Sequence, residues 1–261
     1  MNNIEIITLY SGSSGNSTCV SAGGYTVLID AGKSARALEN ALLSAGKSIR
    51  DVSAIFVTHE HADHVGALEI ISKKHHIPVH MTSASADRSV RGGSCLCSVL
   101  KTHSPLFCEE VGDMKITSFI TPHDSALCVG YRIEYGDSRA AVATDIGHMT
   151  PEILSALEGC GKVVLESNHD VDMLKSGPYP YALKQRILSS RGHLSNADCA
   201  AAAAHLAKLG LTDLTLAHLS EENNRPELAL ATVKEAVYRL GLSVNINVAA
   251  PDRVTHQSEK Q

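Results

Sequence analysis

The chain has 261 residues, 44% hydrophobic and 20% charged, which suits a soluble globular protein with one large core or two small ones. A net charge of −5 argues against a broad nucleic-acid-binding face, although a local basic patch or bound divalent cations would escape that argument. No segment approaches the ~20 apolar residues of a membrane span, and Met1-Asn2-Asn3-Ile4-Glu5 lacks the basic and apolar regions of a secretory leader, so a cytoplasmic protein is expected.

Ile4-Glu5-Ile6-Ile7-Thr8-Leu9 and Thr26-Val27-Leu28-Ile29-Asp30 read as strands, separated by the Gly/Ser-rich loop 11–17. Residues 35–45 have helical periodicity through Leu38, Leu42 and Ala45 and stop at Gly46. Ala54-Ile55-Phe56-Val57-Thr58 is short, apolar and β-branched, hence a buried strand. It delivers His59-Glu60-His61-Ala62-Asp63-His64 at its C-terminal end, and Val65, Leu68 and Ile71 predict a helix after that run. Cys95-Leu96-Cys97 is too close-set for a zinc ribbon, and the seven cysteines in all read as reduced thiols.

Residues 114–119, 129–135, 139–144, 162–165 and 214–217 read as strands. Residues 196–209 form an alanine-rich helix with Asn196 as N-cap and Gly210 past its end. Residues 226–240 form another, with Pro226 in its first turn and Gly241 after it. No repeat or linker interrupts the chain, so residues 1–261 read as one domain with layers of helix, sheet, sheet and helix.

His59, His61, Asp63 and His64 crowd imidazole nitrogens and a carboxylate onto one turn, the ligand types that suit zinc and manganese. A strand leads in and a helix leaves, which a merely solvated His-rich turn would not require. A two-metal centre needs further ligands at other strand ends. His123 follows Phe119-Ile120-Thr121-Pro122, Asp145 closes 140–144, and His218 closes 214–217. Taken alone, each also reads as an ordinary polar residue ending a strand.

His-x-His-x-Asp-His followed by a lone His, Asp and His resembles the ligand pattern of the metallo-β-lactamase superfamily, and the resemblance covers nearly the whole chain. Leu165-Glu166-Ser167-Asn168-His169-Asp170, Gly177-Pro178-Tyr179-Pro180 and Arg191-Gly192-His193-Leu194-Ser195-Asn196 look like the YycJ/WalJ/VicX group of bacterial proteins. That group is similar to the tRNase Z and phosphonate-pathway cyclic phosphodiesterase branches. The resemblance implies an α/β (α+β) four-layer αββα sandwich. It implies that His59, His61 and His123 hold one metal, that Asp63, His64 and His218 hold a second, and that Asp145 bridges them. Two ions about 3.5–4 Å apart can share a hydroxide and clamp the oxygens of a phosphodiester. With no cysteine expected near the ligands, the lactamase branch is disfavoured.

In the tRNase Z branch a Gly-His-Ser segment supplies a proton donor oriented by an upstream Glu. Gly192-His193-Leu194-Ser195 and Glu166 look like the matching pieces, although Leu194 departs from the pattern. Asp63, Glu166 and His193 are therefore the expected catalytic residues. His169 reads equally as a substrate contact, a support for a ligand or a loop cap. The 11–17 loop, with Ser13 and Asn16, suggests packing beneath the metal-bearing turn or phosphate binding. Lys175, Lys184, Arg186 and Arg191 could form a phosphate track or a solvated helix face. His75, His76, His80, His103, His148, His205 and His256 fit no ligand pattern.

The expected activity is a metal-dependent phosphodiesterase using two divalent ions, zinc or manganese, acting as a 5′ to 3′ exonuclease on duplex DNA. Alternatives are a small-molecule phosphodiester or thioester hydrolase, or a regulator of cell-wall signalling with little catalysis.

Overall fold

The computed structural model describes residues 3–89 and 95–257. Met1 and Asn2, read above for leader features, and the Cys95 side chain lie outside that description.

The N-terminal half contains β1 (Glu5–Tyr10), β2 (Ser17–Ala22), β3 (Tyr25–Ile29), α1 (Ala35–Ser44), β4 (Val52–Phe56), α2 (Ala62–Val65), α3 (Leu68–His75), β5 (Val79–Thr82), α4 (Ser83–Ser89) and β6 (Leu100–His103). The C-terminal half contains β7 (Cys108–Val111), β8 (Met114–Thr121), β9 (Cys128–Tyr135), β10 (Ser138–Ala143), α5 (Pro151–Leu157), β11 (Lys162–Glu166), α6 (Val171–Ser176), α7 (Tyr181–Ile187), α8 (Asn196–Ala207), β12 (Asp213–Ala217), α9 (Pro226–Tyr238) and β13 (Asn245–Val248). A last strand, β14 (Thr255–His256), returns to pair with β1.

Two seven-stranded sheets result, ordered β14-β1-β2-β3-β4-β5-β6 and β13-β12-β11-β10-β9-β8-β7. Alternation along each strand divides its side chains between two cores. Ile6, Val20, Val27 and Phe56 face Ile116, Val129, Tyr131 and Val142 between the sheets. Ile7, Leu28, Ile55 and Val79 turn outward onto Leu38 and Leu42 of α1 and Leu68 and Ile71 of α3. Ala141, Val163, Leu165 and Leu214 turn the other way onto Ile153, Ala203, Val233 and Val237 of α5, α8 and α9. The outcome is the expected αββα sandwich.

Each sheet pairs an antiparallel half with a parallel half. In the first, β3 runs parallel to β4, and β4 to β5. In the second, β10, β11, β12 and β13 are parallel. Strand β8 is antiparallel to β9, which is antiparallel to β10, so β8 points the same way as β10. The C-terminal ends of β8, β10, β11 and β12 therefore lie along one rim of the sheet, where open α/β sheets place their ligands.

Three local readings change. The 11–17 loop runs into β2, whose residues Ser17, Thr18 and Cys19 are buried. The helix after the histidine run is two pieces, and Asp63 and His64 already belong to the first of them, α2. The N-cap of α8 is Ser195, whose side chain accepts from Asp198 N; Asn196 is the first helical residue.

Candidate metal centre

Backbone conformation aims the strand-end side chains. Asp30, Asp145 and His218 follow β3, β10 and β12 with φ of 64°, 58° and 57°. Left-handed backbone is uncommon outside glycine, with Asp and His among the residues that tolerate it best. His61 sits at the N-cap of α2 without a side-chain capping bond.

The 11–17 loop lies directly beneath the histidine-bearing turn. Asn16 N donates to Asp63 O at 2.8 Å, Ala31 N to His64 O at 2.8 Å, and Gly32 N to Asn16 O at 2.9 Å. A Cβ at Gly32 would stand 1.9 Å from Asp63 O, so only glycine permits this approach. The Asn16 amide donates to Gly12 O at 3.0 Å and Asp63 Oδ2 at 3.1 Å. Ser13 is exposed on the same loop.

Two groups of ligand atoms meet here: His59, His61 and His123, and Asp63, His64 and His218, with Asp145 also grouped with members of both. Outward hydrogen bonds fix the histidine tautomers. Nδ1 of His64 donates to Asp30 Oδ2 at 2.8 Å, Nδ1 of His123 to Gly192 O at 3.1 Å, and Nδ1 of His218 to Glu166 Oε1 at 3.0 Å. The Thr58 hydroxyl donates to Asp30 and accepts from His59 Nδ1 at 3.0 Å. The Nε2 atoms of His64, His123 and His218 thereby face Asp145, that of His64 also meeting the Asn16 amide nitrogen at 3.1 Å, the arrangement that outer partners impose on metal-binding histidines.

The inward atoms have too few partners. His59 Nε2, His218 Nε2 and Asp145 Oδ2 are buried without a hydrogen-bond partner, a cost of about 1–3 kcal/mol each if uncompensated. His64 Nε2 stands 3.2 Å from Asp145 Oδ2, and His123 Nε2 stands 3.5 Å from Asp145 Oδ1. Lone pairs that close repel unless a proton or a cation lies between them. Without a cation, protons take the role. Burial lowers the affinity of His64 for a proton, but Asp30 and Asp145 outweigh it and hold the ring well above the ordinary range. Burial likewise opposes His218, but Asp145, Asp63 and Glu166 raise it to about 10. Burial, reinforced by neighbouring histidines, keeps His59 and His123 low and neutral. A divalent metal taking the place of the protons on His64 and His218 would meet an imidazole set around buried carboxylates that suits it.

Glu166 ends β11 fully buried, with both oxygens engaged. Oε1 accepts from His193 Nδ1 at 2.8 Å as well as from His218, and Oε2 accepts from Ile146 N at 2.7 Å and Leu194 N at 3.2 Å. Burial opposes its charge, yet His193 and His218 pull the carboxyl down to about 2. Against its own burial, His193 is in turn raised by Glu166. Its Nδ1 is 3.7 Å from Asp145 Oδ1, and its side chain keeps 19% exposure, so it reaches both the metal cluster and solvent. A buried amide network backs His218: Asn168 donates to His218 O, Asn224 donates to Ser167 O and Asn168 O, and Asn196 accepts from Ser167.

The remaining predicted residues scatter. His169 is buried beside Ser195, with Nδ1 unpartnered. Of the basic segment, Arg191 donates to His123 O and Ser125 O, Arg186 pairs with Asp124, and Lys184 donates to Lys175 O. These cations brace the His123 loop and α7 rather than standing free. Two residues escaped the sequence reading. Asp30 orients both Thr58 and His64, and its signal, a polar residue closing an apolar strand, is the one that marked Asp145. The expectation of no cysteine near the ligands fails: Cys128 Sγ lies 3.5 Å from His59 Nδ1. It sits on the outward side of that ring, away from the inward Nε2.

A family model described as a beta-lactamase superfamily domain matches residues 25–219. The chain is 34% identical over 246 residues to "Exodeoxyribonuclease YycJ" of Bacillus anthracis, covering 92% of each chain. It is 32% identical over 259 residues to "Exodeoxyribonuclease WalJ" of Streptococcus pneumoniae serotype 2, covering 96% of each. Among solved structures it resembles the metallo-β-lactamase fold protein YhfI from Bacillus subtilis, at 18% identity and a TM-score of 0.73, over 98% of this chain and 100% of that one.

Proposed function

The chain belongs to the β-lactamase superfamily and is a metal-dependent hydrolase, and from that premise we propose that it is an exodeoxyribonuclease degrading duplex DNA from the 5′ end. Two relatives matched over almost their full length carry the name exodeoxyribonuclease. The observation that supports the reading within this chain is the three-way junction at Glu166, which ties a metal-type histidine to an acid-type histidine.

In this reading His59, His61 and His123 would hold one divalent ion and Asp63, His64 and His218 a second, with Asp145 available to both; zinc and manganese each suit the all-nitrogen and oxygen set. When bound, the pair supplies Lewis acidity toward phosphate oxygens and acidifies water. The chain's own groups do the rest. Asp30, Gly192 O and Glu166 hold the imidazoles with Nε2 inward. Glu166 anchors His193 through Nδ1, leaving Nε2 to deliver a proton to the departing 3′ oxygen of a phosphodiester. His169, Lys184, Arg186, Ser13 and Asn16 are weaker substrate candidates; Asn16 in particular is spent on Gly12 and Asp63.

The test is digestion of 5′- and 3′-labelled single- and double-stranded DNA and RNA with manganese, zinc or magnesium. The reading expects metal-dependent loss of the 5′ label from duplex DNA as short products. Rapid hydrolysis of bis(p-nitrophenyl) phosphate with no cutting of DNA under any metal would instead favour a small-molecule phosphodiesterase.

A further inference from the structure

A second set of ligand-type side chains meets where edge strand β6 of the first sheet approaches edge strand β7 of the second. His80 on β5, His103 on β6 and Glu109 on β7 each bring one donor atom within 4.8 Å of the others. His80 Nδ1 lies 3.1 Å from His103 Nε2. The Glu109 carboxylate lies 4.0 Å from His80 Nδ1 and 3.6 Å from Nδ1 of His103, the other nitrogen of that ring. None of the three belongs to the cluster around Asp145, and the sequence pattern gave none of them a role.

We propose that His80, His103 and Glu109 form a separate site for one divalent transition-metal ion, zinc in the first instance. Two imidazole nitrogens on one tetrahedral zinc, each about 2.0–2.1 Å from it, stand about 3.3 Å apart. The observed 3.1 Å separation is close to that spacing. Two histidines and a glutamate are a known zinc donor set that leaves the fourth position to water.

The rings are held in place before any ion arrives. His80 stacks on Phe56 at 4.6 Å, His80 and His103 are parallel to within 6°, and His103 stacks on Phe107 at 4.1 Å. Ligands already ordered by packing cost little entropy to assemble. Both rings also offer lone pairs at neutral pH, since burial pushes His80 down to about 4 and lowers His103. The Glu109 side chain retains 35% exposure, giving the ion a route in and the carboxylate room to swing onto it. Lys101 is the register partner of His80 and opposes a cation there; it is exposed, so its charge is softened by solvent.

The test uses the full chain, stripped with a chelator and reloaded with zinc alone. Bound zinc is counted by elemental analysis and titrated against a chromophoric chelator, for the wild type and for His103→Gln, Glu109→Gln and Lys101→Gln. His103 and Glu109 are half-buried at the sheet edge, and melting curves identify any variant that fails to fold. The proposal expects His103→Gln and Glu109→Gln each to hold one zinc equivalent fewer than wild type, that equivalent weakening by at least about 100-fold, the upper end of what outer partners alone contribute. Hydrolysis of bis(p-nitrophenyl) phosphate should stay within about twofold, as for independent sites. Lys101→Gln should tighten the same equivalent. If folded Glu109→Gln and His103→Gln hold as much zinc as wild type, with unchanged affinity, the pair is only an imidazole–imidazole hydrogen bond and the proposal falls.

Discussion

One oxygen of Glu166 accepts from both His193 and His218, so in the proposed mechanism it would join ion binding to proton delivery. A Glu166→Gln amide loses the charge that raises both rings, and its nitrogen must face a donor. The variant should lose about 100-fold in kcat and about 10- to 100-fold in metal affinity. His193→Ala isolates the proton. On DNA, whose leaving alkoxide needs a proton, kcat should fall by about 100- to 10,000-fold. On bis(p-nitrophenyl) phosphate, whose leaving group departs as a stable anion, the loss should be much smaller; equal losses on both substrates would remove His193 from that role. The candidate metal ligands now gathered around Asp145 were legible because each closes an apolar strand or follows one closely, whereas Glu166 and His193 were named through the family resemblance. Asp30 carries the same signal but stands far upstream of the histidine run, so nothing in the order of residues pairs it with His64. Cys128 was silent for a different reason: its approach to His59 arises only when β9 packs across from the turn after β4.

At the scale of elements, two loops without regular structure, 11–16 and 30–34, fix the histidine-bearing turn by backbone hydrogen bonds and one glycine contact. Gly32→Ala forces its Cβ against Asp63 O and should cost about 1–3 kcal/mol. Urea unfolding should reveal that loss, together with weaker metal binding, since Asp63 moves with its carbonyl. Strand β5 carries a pH effect through His80. Burial pushes its pKa down to about 4 from an ordinary 6.5, with Glu109 opposing and His103 and Lys101 adding to the fall. The unfolded chain binds that proton more readily, so stability is full above pH ~6.5 and drains as pH falls toward ~4, by up to about 3 kcal/mol. In chelator, His80→Phe should flatten the acid limb of a plot of urea midpoint against pH; an unchanged limb would exclude His80. Apolar strands such as β4, β10 and β12 could be read from sequence directly. Strand β2 could not, because Ser17-Thr18-Cys19-Val20-Ser21-Ala22 buries polar side chains on both faces and shows no alternation. The cap of α8 was misplaced by one residue because both Ser195 and Asn196 can cap. Tertiary structure decides it by spending Asn196 on Ser167 and Asn224.

Across the whole molecule, the net charge is −5, and Arg186 and Arg191 beside His123 are engaged by the protein itself. DNA binding should therefore lean on the metal ions, and the logarithmic salt dependence of binding should be shallow, with a slope of no more than about −3. Metal that binds only the folded chain should also stabilise it, by about 2.7 kcal/mol at a free concentration 100 times Kd, so chelation should lower Tm. The central claim is that the cluster around Asp145 is the catalytic site of a DNA-degrading enzyme. The most direct measurement is nucleotide release from duplex DNA by chelator-stripped protein after metal is restored, comparing wild type with a folded Asp145→Ala variant. The account predicts recovery in the wild type and a loss of more than about 100-fold in the variant. Comparable release by both proteins would contradict it.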